Sequence, residues 1–274
     1  MKVPFMVDSG AYSAFRKGLE IDIDEYIKFL KEKIVMHTEV VYINLDVIGD
    51  GEASYKNWIY MRKKGLNPIP VFHVGSDDSL LQKYLEKTDH IGIGALANLT
   101  ARRRLPFLDR IWTKYLLDEK LMPKYKVHGL GVTSFGLMAR YPWHSLDSTS
   151  WFRAGIYGKL MMPQYIKGEW RFDLKPKLIG ITHGHRIKEA GKHFDTISPE
   201  EQKVVSLYLK SMKVKMGKSK FRKVEGKDKE IVIEGGISND HRIRCFLNAI
   251  FFSKFMALLP YPRPMVGRVP KGFF

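Results

Sequence analysis

The 274-residue chain has a single cysteine, Cys245, so no internal disulfide framework is available, and such usage fits a reducing compartment. No apolar run approaches the roughly 20 residues needed to span a bilayer. The greasiest stretch, Phe246 to Leu259, is interrupted by Asn248, Ser253 and Lys254 and reads as a buried or interface helix. Met1 to Val7 is too short for the hydrophobic core of a secretory signal, and a cytoplasmic setting is expected. A glycine-rich phosphate loop with its lysine is missing, so neither triphosphate chemistry nor a redox cofactor is implied. Acids are also scarce: 29 Asp and Glu face 46 Lys and Arg, for a formal charge of +17. That excess attracts polyanions, nucleic acid ahead of an acidic membrane, because no basic amphipathic helix with a clean apolar face stands out. Solubility alone seldom needs so much charge of one sign.

What is present is a repeat of short apolar strand, polar turn and amphipathic helix. Val3–Val7, Glu39–Leu45, Pro68–Phe72, His90–Gly94, Tyr125–Gly131 and Trp143–Asp147 read as six strands. Between them Ile23, Tyr26, Ile27, Leu30 and Ile34 recur at helical spacing behind Asp22 and Glu25, which are placed like a capping box. Further helices run through Tyr55, Ile59 and Met61, through Leu80, Leu81, Tyr84 and Leu85 behind a Ser76 cap, and across Leu108, Ile111, Tyr115 and Leu116. Beyond Ser150 the rhythm weakens. Lys177–Thr182 and Glu230–Glu234 are the candidates for strands seven and eight, and Ser198-Pro199-Glu200-Glu201 is a strong helix start. Eight strands alternating with helices predict an α/β fold, a (β/α)8 TIM-type barrel with basic insertions in its C-terminal half, as one catalytic domain over 1–274. A doubly wound sheet is the alternative.

In such a barrel the chemistry gathers at the C-terminal strand ends. Those ends carry Asp8, Asp46, His73, Gly94, Gly131 and Asp147. An aspartate after a strand ordinarily caps a helix or makes a turn. Asp8 and Asp147 differ in that each precedes Ser and other small residues that let a ligand approach. Two facing carboxylates suit chemistry at a sugar anomeric carbon, one attacking C1′ and the other moving protons. The residues themselves leave a glycosidase or an aldolase-like enzyme open.

Five short segments narrow this, because together they resemble the tRNA-guanine transglycosylase superfamily, whose members are (β/α)8 barrels. They are Asp8-Ser9-Gly10-Ala11-Tyr12, Asn44-Leu45-Asp46, Gly92-Ile93-Gly94-Ala95-Leu96-Ala97, His128-Gly129-Leu130-Gly131 and Ser145-Leu146-Asp147-Ser148-Thr149. They occur in the family's order and span about half the chain, though each alone is a weak signal. The resemblance implies that Asp147 is the nucleophile and Asp8 the general acid/base. It also implies that Ser9 and Asp46 bind the purine, that Tyr12 and His128 stack on it, and that the backbone of Gly94, Ala95 and Gly129 meets its polar edge. Where the family has Gln-Gly after the third strand this chain has Phe72-His73-Val74-Gly75, so purine recognition is expected to run through His73. The family's cysteine-rich zinc motif is absent. A short, basic member without it is most similar to the bacteriophage-type enzymes that place 7-deazaguanines in DNA, which would put it in the host cytoplasm. The expected activity is exchange of guanine in DNA for a free 7-deazaguanine (preQ0-type) base. The alternatives are tRNA as the polymer, or a non-catalytic nucleic-acid-binding subunit of the same fold.

Between Lys210 and Lys229 nine Lys or Arg accompany two acids, and Gly217, Ser219 and Gly226 break any helix. Residues 210–229 are therefore expected to form a mobile basic loop whose Lys215, Lys218, Lys220, Arg222 and Lys223 meet phosphates; an ordinary solvated loop is the plainer reading. Arg102 and Arg103, opening the helix after the fourth strand, are a second phosphate-contact candidate. Residues 263–274, with their prolines and glycines, read as an extended tail able to dock a partner or nucleic acid. No cofactor is expected. His183, His185, His193, His241 and Cys245 are weak candidates for zinc, since their spacing fits no established signature.

Overall fold

The computed structural model describes residues 5–36, 40–96, 99–183, 188–225 and 227–267. By its internal contacts the chain divides into two units. The described residues within 1–132, 137–147 and 261–268 form the first, and those within 133–136 and 148–260 the second.

In the first unit, short runs of β-branched and aromatic residues form parallel strands, and amphipathic helices connect them. β1 (Phe5–Val7) pairs in parallel with β2 (Val40–Tyr42), in the register Val7↔Tyr42. A parallel bridge from Ile43 to Ile69 leads on to β3 (Val71–His73). There β4 (His90–Gly94), β5 (Lys126–Gly129) and β6 (Ser145–Leu146) follow, each parallel to the strand before it. Neighbours therefore run in chain order, without the strand-order reversal that marks a doubly wound sheet. Parallel register puts all six C-terminal ends on one edge, where the candidate side chains lie.

The helices follow their sequence signals closely. α1 (Ala11–Lys17) begins immediately after Gly10, which sits in the left-handed region at φ 73°. α2 (Ile23–Met36) is capped by Asp22, whose carboxylate accepts from the Glu25 amide at 2.8 Å. α3 (Gly51–Lys63) is capped by Asp50 and buries Ser54, Trp58 and Met61. α4 (Asp78–Leu85) is capped by Asp77 rather than Ser76, because the Asp77 carboxylate reaches the Ser79 amide at 2.8 Å. α5 (Ala101–Ile111) continues into one π-helical turn over Trp112–Leu116, and α6 (Phe135–Arg140) precedes β6. Beneath β1 and β2, Val7, Tyr26, Ile27, Leu30, Tyr42, Leu45 and Met61 pack together. At roughly 25 cal/mol per Å² of apolar surface, that burial is what holds strand and helix together.

In the second unit α7 (Ser150–Ile156) leads to β7 (Lys159–Met162), the hairpin of β8 (Gln164–Ile166) and β9 (Glu169–Arg171), and β10 (Lys177–Gly180). The predicted seventh strand is thus present as β10, but it pairs antiparallel with β7, a strand the sequence pattern did not signal. α8 (Pro199–Ser211) carries the full capping box between Ser198 and Glu201. The predicted basic loop is instead a β-ribbon: β11 (Lys218–Val224) and β12 (Lys227–Glu234) pair antiparallel, and Glu230–Glu234 belongs to this ribbon. Alternation of exposed Lys218, Lys220 and Arg222 with the less exposed Ser219 and Phe221 has the two-residue period of a strand, which the density of lysine hides from a composition-based reading. α9 (His241–Ala257) closes the unit, burying Cys245, Leu247, Phe251 and Phe255. Its fully buried Asn248 accepts from the Met161 amide at 2.7 Å and donates to the carbonyls of Trp151 and Lys159 at 3.0 and 3.1 Å.

The described part of the tail, residues 263–267, forms neither helix nor strand and is tied down by hydrogen bonds to its own chain. Arg263 donates to the carbonyls of Met138 and Tyr141 at 3.0 and 2.7 Å, and the Met265 amide to Leu121 at 2.9 Å. Residues 268–274 fall outside the described part.

Candidate active site

The polar residues at the strand ends are assembled by register. Asp8 follows β1 directly, and the Ser9-Gly10 turn carries the chain into α1. Buried Ser9 accepts from the Ala11 amide at 3.3 Å and donates its hydroxyl to Asp46 Oδ1 at 3.2 Å. The other oxygen of Asp46 lies 2.8 Å from Nε2 of His73. Asp46 and His73 keep only 8% and 6% of their surface exposed, so this is a buried, hydrogen-bonded pair. Below them Tyr26 donates to the Ile43 carbonyl at 2.8 Å. Burial, with the negative fields of Asp8 and Asp46, pushes that phenol well above its ordinary range and keeps it neutral.

His73 is the last residue of β3 and stands in register with Gly94. A Cβ at Gly94 would come within 2.8 Å of both the His73 ring and Val71 Cγ1, so glycine there makes room for the imidazole. Ala95 follows in the left-handed region at φ 59°, a costly geometry for a residue with a Cβ and one that clusters at functional sites. Gly129 is confined in the same way: a Cβ would lie 2.5 Å from Leu146 and 2.7 Å from Val132. The smallness of both glycines is thus already required by protein packing.

His128 stands opposite Ser145 across β5 and β6. Its Nδ1 lies 2.8 Å from the Ser145 hydroxyl, and its Nε2 lies 3.5 Å from Asp147 Oδ1. With 2% of its surface exposed, the ring is enclosed and used along its edge, in contrast to the open stacking face expected from the sequence. The Gly131 amide donates to the same Asp147 oxygen at 2.7 Å, leaving Oδ2 unengaged by these two donors. Tyr12 lies 49% exposed on the first turn of α1.

The two candidate carboxylates have opposite electrostatics. The Asp8 carboxyl can be reached by solvent, yet it is crowded enough for desolvation to be the largest influence on it. Desolvation and the charges of Asp46 and Asp147 raise it above the ordinary carboxylate range, against the Ser9 and Gly10 amides. Desolvation also acts to raise Asp147, but the hydrogen bond from His128 and the Gly131 amide outweigh it and hold that carboxyl below the usual range. One acid is biased toward its protonated form and the other toward its anion.

Two contributors were not singled out from the sequence: Ser145 lay inside a motif but its role depends on strand register, and Tyr26 looked like an ordinary core position of a helix. Gly131 was named as a strand-end residue, but its amide contact with Asp147 is again a product of register. Arg102 and Arg103 are exposed at the start of α5, after β4 on the strand-end edge. Lys215 and Lys218, in the second unit, sit beside Glu234, the former at 2.9 Å.

Among the described residues no group of three or more His, Cys, Asp or Glu is arranged to hold a metal. His183 Nε2 lies 3.3 Å from the Gly217 carbonyl, and His193 Nε2 lies 3.0 Å from that of Thr182. Cys245 packs against Gly155 and donates to the Phe152 carbonyl, and His241 opens α9; His185 lies outside the described residues. No helix among the described residues is long and apolar enough to cross a membrane. Comparison of the chain with protein-family models, curated proteins and solved structures returned no match.

Proposed function

We propose that this protein is a guanine transglycosylase, a pentosyltransferase that exchanges guanine in DNA for a 7-deazaguanine base, with its site at the C-terminal ends of the parallel strands. The observation that carries the reading is the meeting of two carboxylates at one strand-end edge. Asp147, fixed by the Gly131 amide at 2.7 Å and by His128 at 3.5 Å, lies close enough to Asp8 for its charge to raise that carboxyl. Two carboxyls pushed in opposite directions suit the roles of acid and nucleophile. The target nucleotide leaves the base stack, because C1′ has to reach a carboxylate set among strand ends. Asp147 then attacks C1′ through Oδ2 while the bond from C1′ to guanine breaks, and protonated Asp8 gives its proton to the departing base. The result is a glycosyl ester on Asp147 and an Asp8 carboxylate. An incoming 7-deazaguanine transfers its ring N–H proton to Asp8, bonds to C1′ and releases Asp147, so the sugar configuration is retained. The Gly131 amide and His128 hold Asp147 in its anionic, aimed form. The Asp46–His73 pair and Ser9 lie where the purine edge would be read, with Tyr12 as the stacking surface. This chemistry requires no cofactor.

Labelled guanine or preQ0 offered with duplex DNA, single-stranded DNA or bulk tRNA tests the reading. Label is expected to enter DNA and to be lost, with the covalent adduct, in Asp147→Ala. Incorporation into tRNA would overturn the choice of polymer. Binding without incorporation into any polymer would overturn the enzyme reading in favour of an accessory subunit.

A further inference from the structure

The ribbon of β11 and β12 has two unlike faces. Register places Lys220 opposite Ile231 and Arg222 opposite Lys229, while Ser219 faces Val232 and Phe221 faces Glu230. Because side chains alternate along a strand, Lys220, Arg222, Lys229 and Ile231 share one face, with Val224 beyond them. The other face holds Ser219, Phe221, Lys223, Glu230 and Val232. Among the described residues the first face has three cations and no acid, and no carboxylate lies within ion-pair distance of Lys220, Arg222 or Lys229. The second face carries both a cation, Lys223, and an acid, Glu230, and at the ribbon base Glu234 pairs with Lys215. Most of the ribbon is exposed, including Ile231 at 47% and Val224 at 41%.

We infer that this cationic face docks in the major groove of B-form duplex DNA. The groove is about 12 Å wide and admits a two-stranded ribbon, whose strands lie about 4.8 Å apart. Lys220 and Arg222 are two residues apart, roughly 6.8 Å, or two helical rises of about 3.4 Å along a DNA strand. Lys229 lies across from Arg222 on the second strand, so the charges form a patch wide enough to meet both groove walls. Ile231 beside Lys220, and Val224 beyond Arg222, suit the apolar thymine methyl groups of that groove. A-form RNA offers a deep, narrow major groove that excludes such a ribbon. The inference rests on the nucleic-acid reading above and names the form of the polymer: duplex DNA, held by the ribbon in addition to the site that acts on the base.

The test is binding of the full chain to an inert 24-base-pair DNA duplex, followed by fluorescence anisotropy across a salt series. Lys220→Gln, Arg222→Gln and Lys229→Gln together should reduce the slope of log K against log salt by about 2.7, at roughly 0.9 per phosphate contact. With 1 M salt as the reference, the affinity at 0.1 M should fall roughly five-hundredfold below that of the unaltered chain by the same relation. A variant losing equal charge elsewhere, Lys28→Gln, Lys31→Gln and Lys56→Gln, should keep most of the slope. The same duplex sequence as RNA should lose less than threefold in the ribbon variant. Thermal melting establishes that both variants are folded. An unchanged slope in the ribbon variant, an equal loss in the control variant, or an equal loss on RNA each overturns the inference. Ribbon-dependent binding to phosphatidylserine vesicles without binding to duplex DNA would overturn it too. Inert-duplex binding needs no base exchange, so the two readings fail separately. Absent exchange with a ribbon-dependent slope defeats the enzyme reading alone, and exchange with a ribbon-independent slope defeats this one alone.

Discussion

Replacing Asp46 by Ala should destabilise the first unit by about 3 kcal/mol. Asp46 Oδ2 lies 2.8 Å from His73 Nε2, both residues are buried, and Asp46 Oδ1 takes the Ser9 hydroxyl at 3.2 Å. Removing one partner of a buried ion pair costs about 3–5 kcal/mol, because the survivor is left in a low-dielectric setting. The lower end applies, since the loss of the Asp46 charge relieves Asp8. For a chain of this size about 3 kcal/mol corresponds to roughly 6–12 °C in Tm. Asp46→Asn, which keeps one oxygen to accept a donor, should cost about 1–2 kcal/mol. Urea unfolding followed by tryptophan fluorescence measures this, Trp58, Trp112 and Trp143 all lying in the same unit. A cycle with His73→Ala isolates the pair, and its coupling should be about 2 kcal/mol, the range for a hydrogen bond to a charged group. Additivity of the two substitutions within about 0.5 kcal/mol would refute the buried pair.

Asp8→Asn should abolish exchange while raising stability at neutral pH. Its folded value lies above the unfolded one, so the native state loses stability as pH rises from about 3.9 through the folded value. The gain should be present at pH 7 and gone at pH 3 in paired melting curves. Burial, aided by His144 and His128, pushes His90 down to about 4, so native stability should fall as pH drops from about 6.5 to about 4. His90→Gln should flatten that part of the melting profile. Asn248→Leu leaves one amide and two carbonyls without their partner in the second unit. At about 1–3 kcal/mol for an unsatisfied buried group it should cost about 3 kcal/mol in a urea titration, and a loss below 1 kcal/mol would count against that network.

Much of the first unit was legible because its signals are local. His90–Gly94 is a strand with the bounds expected, and the Ser198 capping box forms as its four residues specify, since neither needs information from far along the chain. Asp8, Asp46, His73 and Asp147 could be placed at strand ends by counting apolar runs. Direction of pairing could not be read this way. Lys177–Gly180 has a strand's composition whether its neighbour runs parallel or antiparallel, and Lys159–Met162 became its partner through packing against residues distant in sequence. The basic segment was misread because lysine density and strand alternation occupy the same residues, and charge is the louder signal.

By itself the sequence determined the strong positive charge, the lone buried-type cysteine, the strand-and-helix rhythm to Asp147 and the residue types available for proton transfer. Only the tertiary structure decided that Ser145 and Gly131 converge on His128 and Asp147, that Asp46 is shared between Ser9 and His73, and that the basic residues divide between two faces of a ribbon. The physical reason is that a carboxylate's protonation bias depends on desolvation and on charges a few ångströms away. Those neighbours come from five different strand ends and are brought together by register, a property of the folded chain.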